Sequence, residues 1–236
     1  MSEEEIRAEE TVAEDSEPAP KKKGIKKWPI VLGVILVVII AAGVGVWTWH
    51  ETPSFCGAIC HTPMDNYLAT YESEYGEATT DKWGNEVEDS SAMLAVSHAV
   101  SEEDGGAGAE CLDCHQPIIS QQISEGLSWL TGGYTYPLTE RSLEELTATW
   151  GVDDEEEFCL NEDCHDMTRD DLIEATSDMT RNPHVEQHGS VSCSECHKAH
   201  RASVFYCTQC HSDCDVPDGW LTVSEANALE YLYTEE

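Results

Sequence analysis

Basic residues are scarce in this chain: 12 Lys and Arg stand against 47 Asp and Glu, a formal net charge of −35. That balance excludes nucleic acid as a partner, because phosphate binding is driven by Lys and Arg. No phosphate-binding loop, no dinucleotide fingerprint and no Ser/His/Asp grouping with suggestive surroundings is present, so the usual routes to nucleotide chemistry and acyl transfer are missing. Long apolar runs are missing too, except for one between residues 29 and 49. Outside it, this 236-residue chain is poor in the Leu, Ile and Val clusters that build an ordinary core. Something other than aliphatic side chains must fill the interior. Cysteine and histidine, in contrast, are plentiful, at 11 and 10.

Ten of the 11 cysteines form pairs, and each pair is followed at once by a histidine. Three pairs have the strict C-x-x-C-H form: Cys111, Cys114 and His115; Cys193, Cys196 and His197; Cys207, Cys210 and His211. Two are stretched, by one residue at Cys56, Cys60 and His61 and by two at Cys159, Cys164 and His165. The strict form is that of c-type haem attachment, in which two thiols bond the porphyrin's vinyl groups and the next imidazole is delivered to the iron. Zinc ribbons share the cysteine spacing but give no reason for a histidine behind every second cysteine. The pattern therefore predicts five covalently bound haem c groups, and these account for the missing aliphatic core.

From Pro29 to Trp49 the chain carries no charge, and at about 1.5 Å per helical residue it spans the roughly 30 Å of a bilayer's hydrocarbon. Trp28, Trp47 and Trp49 suit interfacial belts, and Lys21, Lys22, Lys23, Lys26 and Lys27 hold the N-terminus in the cytoplasm. The competing reading, a cleaved signal peptide, calls for an apolar region of only about 7–15 residues. The expectation is a single-pass protein of the cell membrane with its haem domain extracytoplasmic, where attachment also protects thiols that would otherwise oxidise. The fold class expected is mainly α and irregular: one N-terminal transmembrane helix, then a haem-packed multihaem domain. The division expected is a cytoplasmic tail at 1–27, the helix at 28–49, a membrane-proximal haem segment at 50–97, a tetrahaem module at 98–214 and a C-terminal helix and tail at 215–236.

Five histidines lie outside the motifs: His50, His98, His184, His188 and His200. A six-coordinate electron-transfer haem needs a second axial base, and every spare histidine past residue 90 lies close to a haem motif. His184 and His188 are one helical turn apart and on a helix would share a face. His200 follows His197 too closely to bind the same iron easily and should reach a neighbouring one.

The stretch from Asn182, Pro183 and His184 through His188, then Cys193 to His200, then Cys207 to His211, resembles the tetrahaem cytochromes of the flavocytochrome c fumarate reductase type. That resemblance implies that His98, His184, His188 and His200 are distal ligands of the four haems at Cys111/Cys114, Cys159/Cys164, Cys193/Cys196 and Cys207/Cys210, without saying which serves which. The front half is similar to the membrane-anchored NapC/NirT/NrfH quinol dehydrogenases. It shares with them one N-terminal helix, Phe55, Cys56, Cys60 and His61 with Met64 behind, Tyr67, Tyr71, Ser97, His98, and Cys111 to Pro117. In some of those proteins a methionine after the first motif ligates iron. Here Met64 is one position further away, and three arrangements are open to the first haem: His61 with Met64, His61 with His50, or Met64 with an open side.

Between the motifs, Ile118, Ile119, Ile123, Leu127 and Leu130 recur at helical spacing up to Gly132 and Gly133. Leu143 to Leu146 and Leu172 to Ala175 read as surface helices, and Asp153 to Glu157 as a solvated loop. A C-terminal helix begins at Ser224, with Ala226, Leu229 and Leu232 on its apolar side. Cys214 is left unpaired, as a spare thiol or a contact with a partner.

These features predict an electron conduit. Menaquinol from the quinone pool is oxidised at the outer membrane face beside the Cys56/Cys60 haem, with His50, Glu51, Asp65 and Lys82 as candidates for the quinol site. Electrons then pass to an extracytoplasmic reductase, a flavoprotein or molybdoenzyme. Two rivals belong to other classes: a terminal reductase with an open iron position, and a passive extracellular link without a quinol site.

Overall fold

The computed structural model describes residues 27–59, 61–115, 118–136, 142–147, 151–152 and 154–229, with the side chains of 61–63 set aside. The chain divides into two compact units, Met1–Val44 and Gly45–Glu236. Helix α1 (Lys27–His50) runs for 24 residues, long and apolar enough to cross a membrane, and none of its residues is buried. From Pro29 to Trp47 it carries no polar side chain and so has no polar face, as a helix surrounded by lipid requires.

The second unit is built from short helices, turns and two small ribbons, as the expected class requires. Helices α2 (Pro53–Ile59) and α3 (His61–Tyr71) pack on each other. A hairpin of β1 (Thr79–Thr80) and β2 (Glu86–Val87) follows, then α4 (Leu94–Ala99). Next come α5 (Cys111–Cys114), α6 (Ile119–Thr131), α7 (Leu143–Thr147), α8 (Glu155–Cys159), α9 (Arg169–Ala175) and α10 (Cys193–Cys196). Strand β3 (Val204–Phe205) pairs in parallel with β4 (Leu221–Thr222), and α11 (Val223–Ala228) ends the described chain.

The protein-only core is small. Its buried apolar residues are Trp83, Ala92, Met93, Val96, Ala202, Val204 and Phe205, which belong to a few short segments far apart in sequence. Backbone bonds stitch two of those segments together: Leu94 N–H to the Lys198 carbonyl and Ala95 N–H to that of Ala199, both at 2.9 Å. Ser203, fully buried, donates its hydroxyl to the Ala92 carbonyl at 2.5 Å and accepts the Lys198 N–H at 3.0 Å. Gly219 closes over this junction at φ +76, and a Cβ there would lie 2.6 Å from the Ser91 hydroxyl. Only glycine fits both the backbone angle and the space.

Helix α6 is the one expected between Ile118 and Gly132, ended by Gly132 in the left-handed conformation at φ 71. Its apolar residues Ile118, Ile119, Ile123, Leu127 and Leu130 all project outward and are exposed. The helices expected at Leu143 and Leu172 form as α7 and α9. The loop expected from Asp153 to Glu157 does not hold for its described part. Asp154 caps the Glu156 N–H at 2.9 Å, and three successive glutamates in the first turn suit the positive end of α8. Glu156 then bonds Arg169 at 2.6 Å, and Glu155 accepts the Ser194 hydroxyl at 2.8 Å. At the C-terminus, α11 stops at Ala228 and Leu229 is already extended, while Leu232 lies outside the described residues.

Candidate haem-attachment and electron-transfer site

Each strict motif forms a single tight turn. Cys111 and Cys114 sit on α5, Cys193 and Cys196 on α10, and a 3-10 turn over Tyr206–Gln209 carries Cys207 up to Cys210. One turn brings the two sulfurs of each motif to the same side. The next histidine closes it by donating its N–H to the first cysteine's carbonyl, His115 to Cys111 and His197 to Cys193 at 2.9 Å and His211 to Cys207 at 3.0 Å.

The stretched motif at Cys159/Cys164 closes the same way, His165 N–H to the Cys159 carbonyl at 3.3 Å. Its two additional residues are absorbed by Asn161, whose side-chain oxygen accepts the N–H of Asp163 and of Cys164, both at 3.0 Å. The Asn161 amide donates to the Phe158 carbonyl at 2.8 Å. A turn residue inside the insertion therefore accompanies the same closing bond as in the strict motif. In the first motif, Cys60 and the side chain of His61 lie outside the described residues, and Cys56 sits on α2.

The described cysteines, Cys214 included, are all free thiols. Four of them meet in twos across motifs. The Cys56 and Cys111 thiols share a hydrogen bond, which lowers Cys56 to about 7 and raises Cys111. Cys159 and Cys193 do the same, with Cys193 lowered to about 7 and Cys159 raised.

The histidines come together in twos. His115 faces His200 with ring centres 6.3 Å apart and planes 22° from parallel. His98 faces His165 at 6.0 Å and 73°, His184 faces His197 at 6.5 Å and 9°, and His188 faces His211 at 6.0 Å and 26°. Rings stacked in van der Waals contact would be much closer. A metal–nitrogen bond of about 2 Å on each side, with each ring centre about 1 Å further out, gives a separation of about 6 Å between two imidazoles that share one metal ion. The described residues hold no cage of three or more His, Cys, Asp or Glu. The donor set therefore suits a ring-bound iron that needs one base above and one below.

The same geometry pairs every spare histidine beyond residue 90 with a motif. His98, although it precedes Cys111, lies against His165. His200 reaches His115, across α3 and α4. His184 and His188 are not on a helix: the segment from 182 to 189 is a series of turns closed by a bridge between Gln187 and Gly189, so the two rings part to meet His197 and His211. Pro183 and the left-handed Gly189, at φ 96, oppose a helix there.

Each of three spare rings is held at Nδ1. His98 Nδ1 bonds the Leu94 carbonyl at 2.8 Å, His184 Nδ1 lies 3.1 Å from the Thr176 hydroxyl, and His200 Nδ1 lies 2.7 Å from the Thr70 hydroxyl. A carbonyl can only accept, so His98 carries its proton on Nδ1 and leaves the Nε2 lone pair for a metal. Burial, followed by the neighbouring His184, pushes His197 down to about 4. Burial and the facing His115 push His200 down to about 3. Both effects keep the rings neutral, the form that binds metal. None of these supports was legible beforehand: Thr70 is 130 residues from His200 and Thr176 is an ordinary helix-end threonine.

The quinol-site candidates lie at the start of the second unit. The His50 ring sits between Trp47, at 6.1 Å, and Phe55, at 4.9 Å. Glu51 and Asp65 are exposed, and Met64 is half-buried on α3. Lys82 is tied to α3 by Asn66, whose side chain donates to its carbonyl at 3.1 Å, and its own N–H bonds the His200 carbonyl at 2.9 Å. Its ammonium stands 5.1 Å from the centre of the Trp83 ring.

The cytochrome c3 family matches residues 145–212, the stretch that holds the motifs at Cys159/Cys164, Cys193/Cys196 and Cys207/Cys210. No solved structure matches the chain. A protein of Eggerthella lenta named cytochrome c-type protein Cgr1 is 63% identical over 213 residues, which cover 90% of this chain and 94% of that relative. Identity and coverage of that extent, over motifs folded for haem attachment, place this chain in the same family of multihaem c-type cytochromes.

Proposed function

We propose that the chain is a membrane-anchored pentahaem cytochrome that oxidises menaquinol at the outer membrane face and passes the electrons to an extracytoplasmic reductase, a flavoprotein or molybdoenzyme. Membership of its family makes it an electron-transfer protein with covalently bound haem c. When bound, each haem supplies a one-electron redox centre. The observation that carries the reading is the set of four facing histidine pairs. At those four centres imidazoles on both sides would leave no position for a substrate, which supports relay as their role.

Attachment thiols also meet across motifs, Cys56 with Cys111 and Cys159 with Cys193, which supports transfer from the first motif to the second and from the third to the fourth. Helix α1 supports a retained anchor, and the lysines before it an inward N-terminus. The resemblance of the front half to quinol dehydrogenases supports electron entry there. His50, Glu51 and Asp65 are the candidate bases for the quinol protons. Lys82 is a further candidate for that site; its backbone is held by Asn66 and by the His200 carbonyl. For the first haem the candidate ligand sets are His61 with Met64, His61 with His50, and Met64 with an open side.

The test uses the full haem-loaded chain in liposomes. A menaquinol analogue should reduce the haems within the time that a quinol-dependent respiratory chain requires, and Lys82→Ala should slow that step while dithionite reduction stays complete. Protein that dithionite reduces but menaquinol does not is a passive link.

A further inference from the structure

We propose that Thr70 is a positioning residue for the second haem: its hydroxyl fixes the tautomer and the angle of His200, and through that ring it lowers the reduction potential of the haem attached at Cys111 and Cys114. The inference rests on the reading of His200 as an axial ligand opposite His115.

Thr70 has no exposed surface, and its hydroxyl lies 2.7 Å from both the Tyr67 carbonyl and His200 Nδ1. The carbonyl can only accept, so the hydroxyl proton goes there, and only oxygen lone pairs face the imidazole. His200 must therefore carry its proton on Nδ1, which leaves Nε2 to face His115. The hold is reinforced on two more sides. Tyr67, one turn earlier on α3, sets its ring edge-on to His200 at 5.1 Å, and the Lys82 N–H fixes the His200 carbonyl at 2.9 Å.

An imidazole that donates from Nδ1 is a stronger base at Nε2, stabilises the oxidised metal and lowers the potential. Of the Nδ1 contacts made by the spare histidines, the one from Thr70 is the shortest. It also comes from α3, whose first residue is the histidine of the first motif. One helix thus carries the proposed proximal ligand of the first haem and the support for the distal ligand of the second. Position along the relay and potential at its second centre are linked through eleven consecutive residues.

The experiment is a potentiometric titration with electron paramagnetic resonance on the full haem-loaded chain. Thr70→Val should move one transition to higher potential and change one low-spin signal, with the haem content and the other transitions unaltered. Thr70→Ser should titrate as the parent does. Should Thr70→Val fail to mature, Thr70→Ala replaces it against the same serine control. A valine or alanine variant that titrates as the parent overturns the inference, as does a serine variant displaced as far as the valine one, since packing of the methyl group would then be the cause. His200→Ala separates the layers: a high-spin haem there with a silent Thr70→Val refutes only the role of Thr70, whereas an unchanged spectrum removes His200 from the ligands and the inference with it.

Discussion

His184 and His197 face each other with ring centres 6.5 Å apart and planes only 9° from parallel, although thirteen positions separate them and neither lies within a long helix. Turn residues on one side and a one-turn cysteine helix on the other achieve this, and facing histidine pairs occur three more times. The protein-only core is small because the folding information goes into placing these rings.

Loss of a spare histidine should therefore affect a particular haem. His98→Ala is expected to free a coordination position at the haem of Cys159/Cys164 and leave that of Cys111/Cys114 low-spin; His200→Ala should do the reverse. Spectra of each variant, repeated after the matching cysteine pair is replaced by serine, identify the affected centre. A high-spin signal from His98→Ala that survives removal of Cys159 and Cys164 would contradict the pairing.

Asn161 predicts a local defect in maturation. Asn161→Ala removes the acceptor of two N–H groups and should cost about 1 kcal/mol of turn stability. Peptide mass spectrometry should find haem depleted at Cys159/Cys164 and complete at the strict motifs. Equal occupancy at all of them would show that the turn forms without the asparagine.

Ser203 is the polar centre of the small core. Ser203→Ala leaves the Lys198 N–H without the acceptor it has in the parent and should destabilise the haem-loaded protein by about 1–3 kcal/mol. Denaturant unfolding followed by haem absorbance measures this. A change of a few tenths would mean that water takes the hydroxyl's place.

Orientation is tested by proteolysis. Protease added to intact cells or spheroplasts should digest the region after His50 and spare the tail before Lys21, because the proposed topology puts the lysines on the protected side. A protected haem region would reverse the topology.

The attachment motifs, the apolar helix and the predominantly helical, irregular class were legible from spacing and composition alone. So was the turning of His200 away from His197, too close in sequence, towards another motif's histidine, His115. The partners of the spare histidines were not, because they depend on contacts between segments as distant as Thr70 and His200. His184 and His188 would share a face on a helix, but a spacing of four residues suits a run of turns equally, and Pro183 and Gly189 favour the turns. At Asp154 to Glu157, acidic composition suggested solvent, but Asp154 followed by three glutamates is also a helix start. Asn161, within the stretched motif, did carry a readable signal: an asparagine in an insertion before a cysteine is suited to bond the N–H groups that follow it.

The most direct measurement is the axial ligation of the oxidised, fully loaded chain by near-infrared magnetic circular dichroism. The account predicts four low-spin haems with imidazole on both sides, from the pairs His115 with His200, His165 with His98, His197 with His184 and His211 with His188, and one further haem at the first motif. Fewer than four such centres, or a high-spin population outside the first motif, would contradict it.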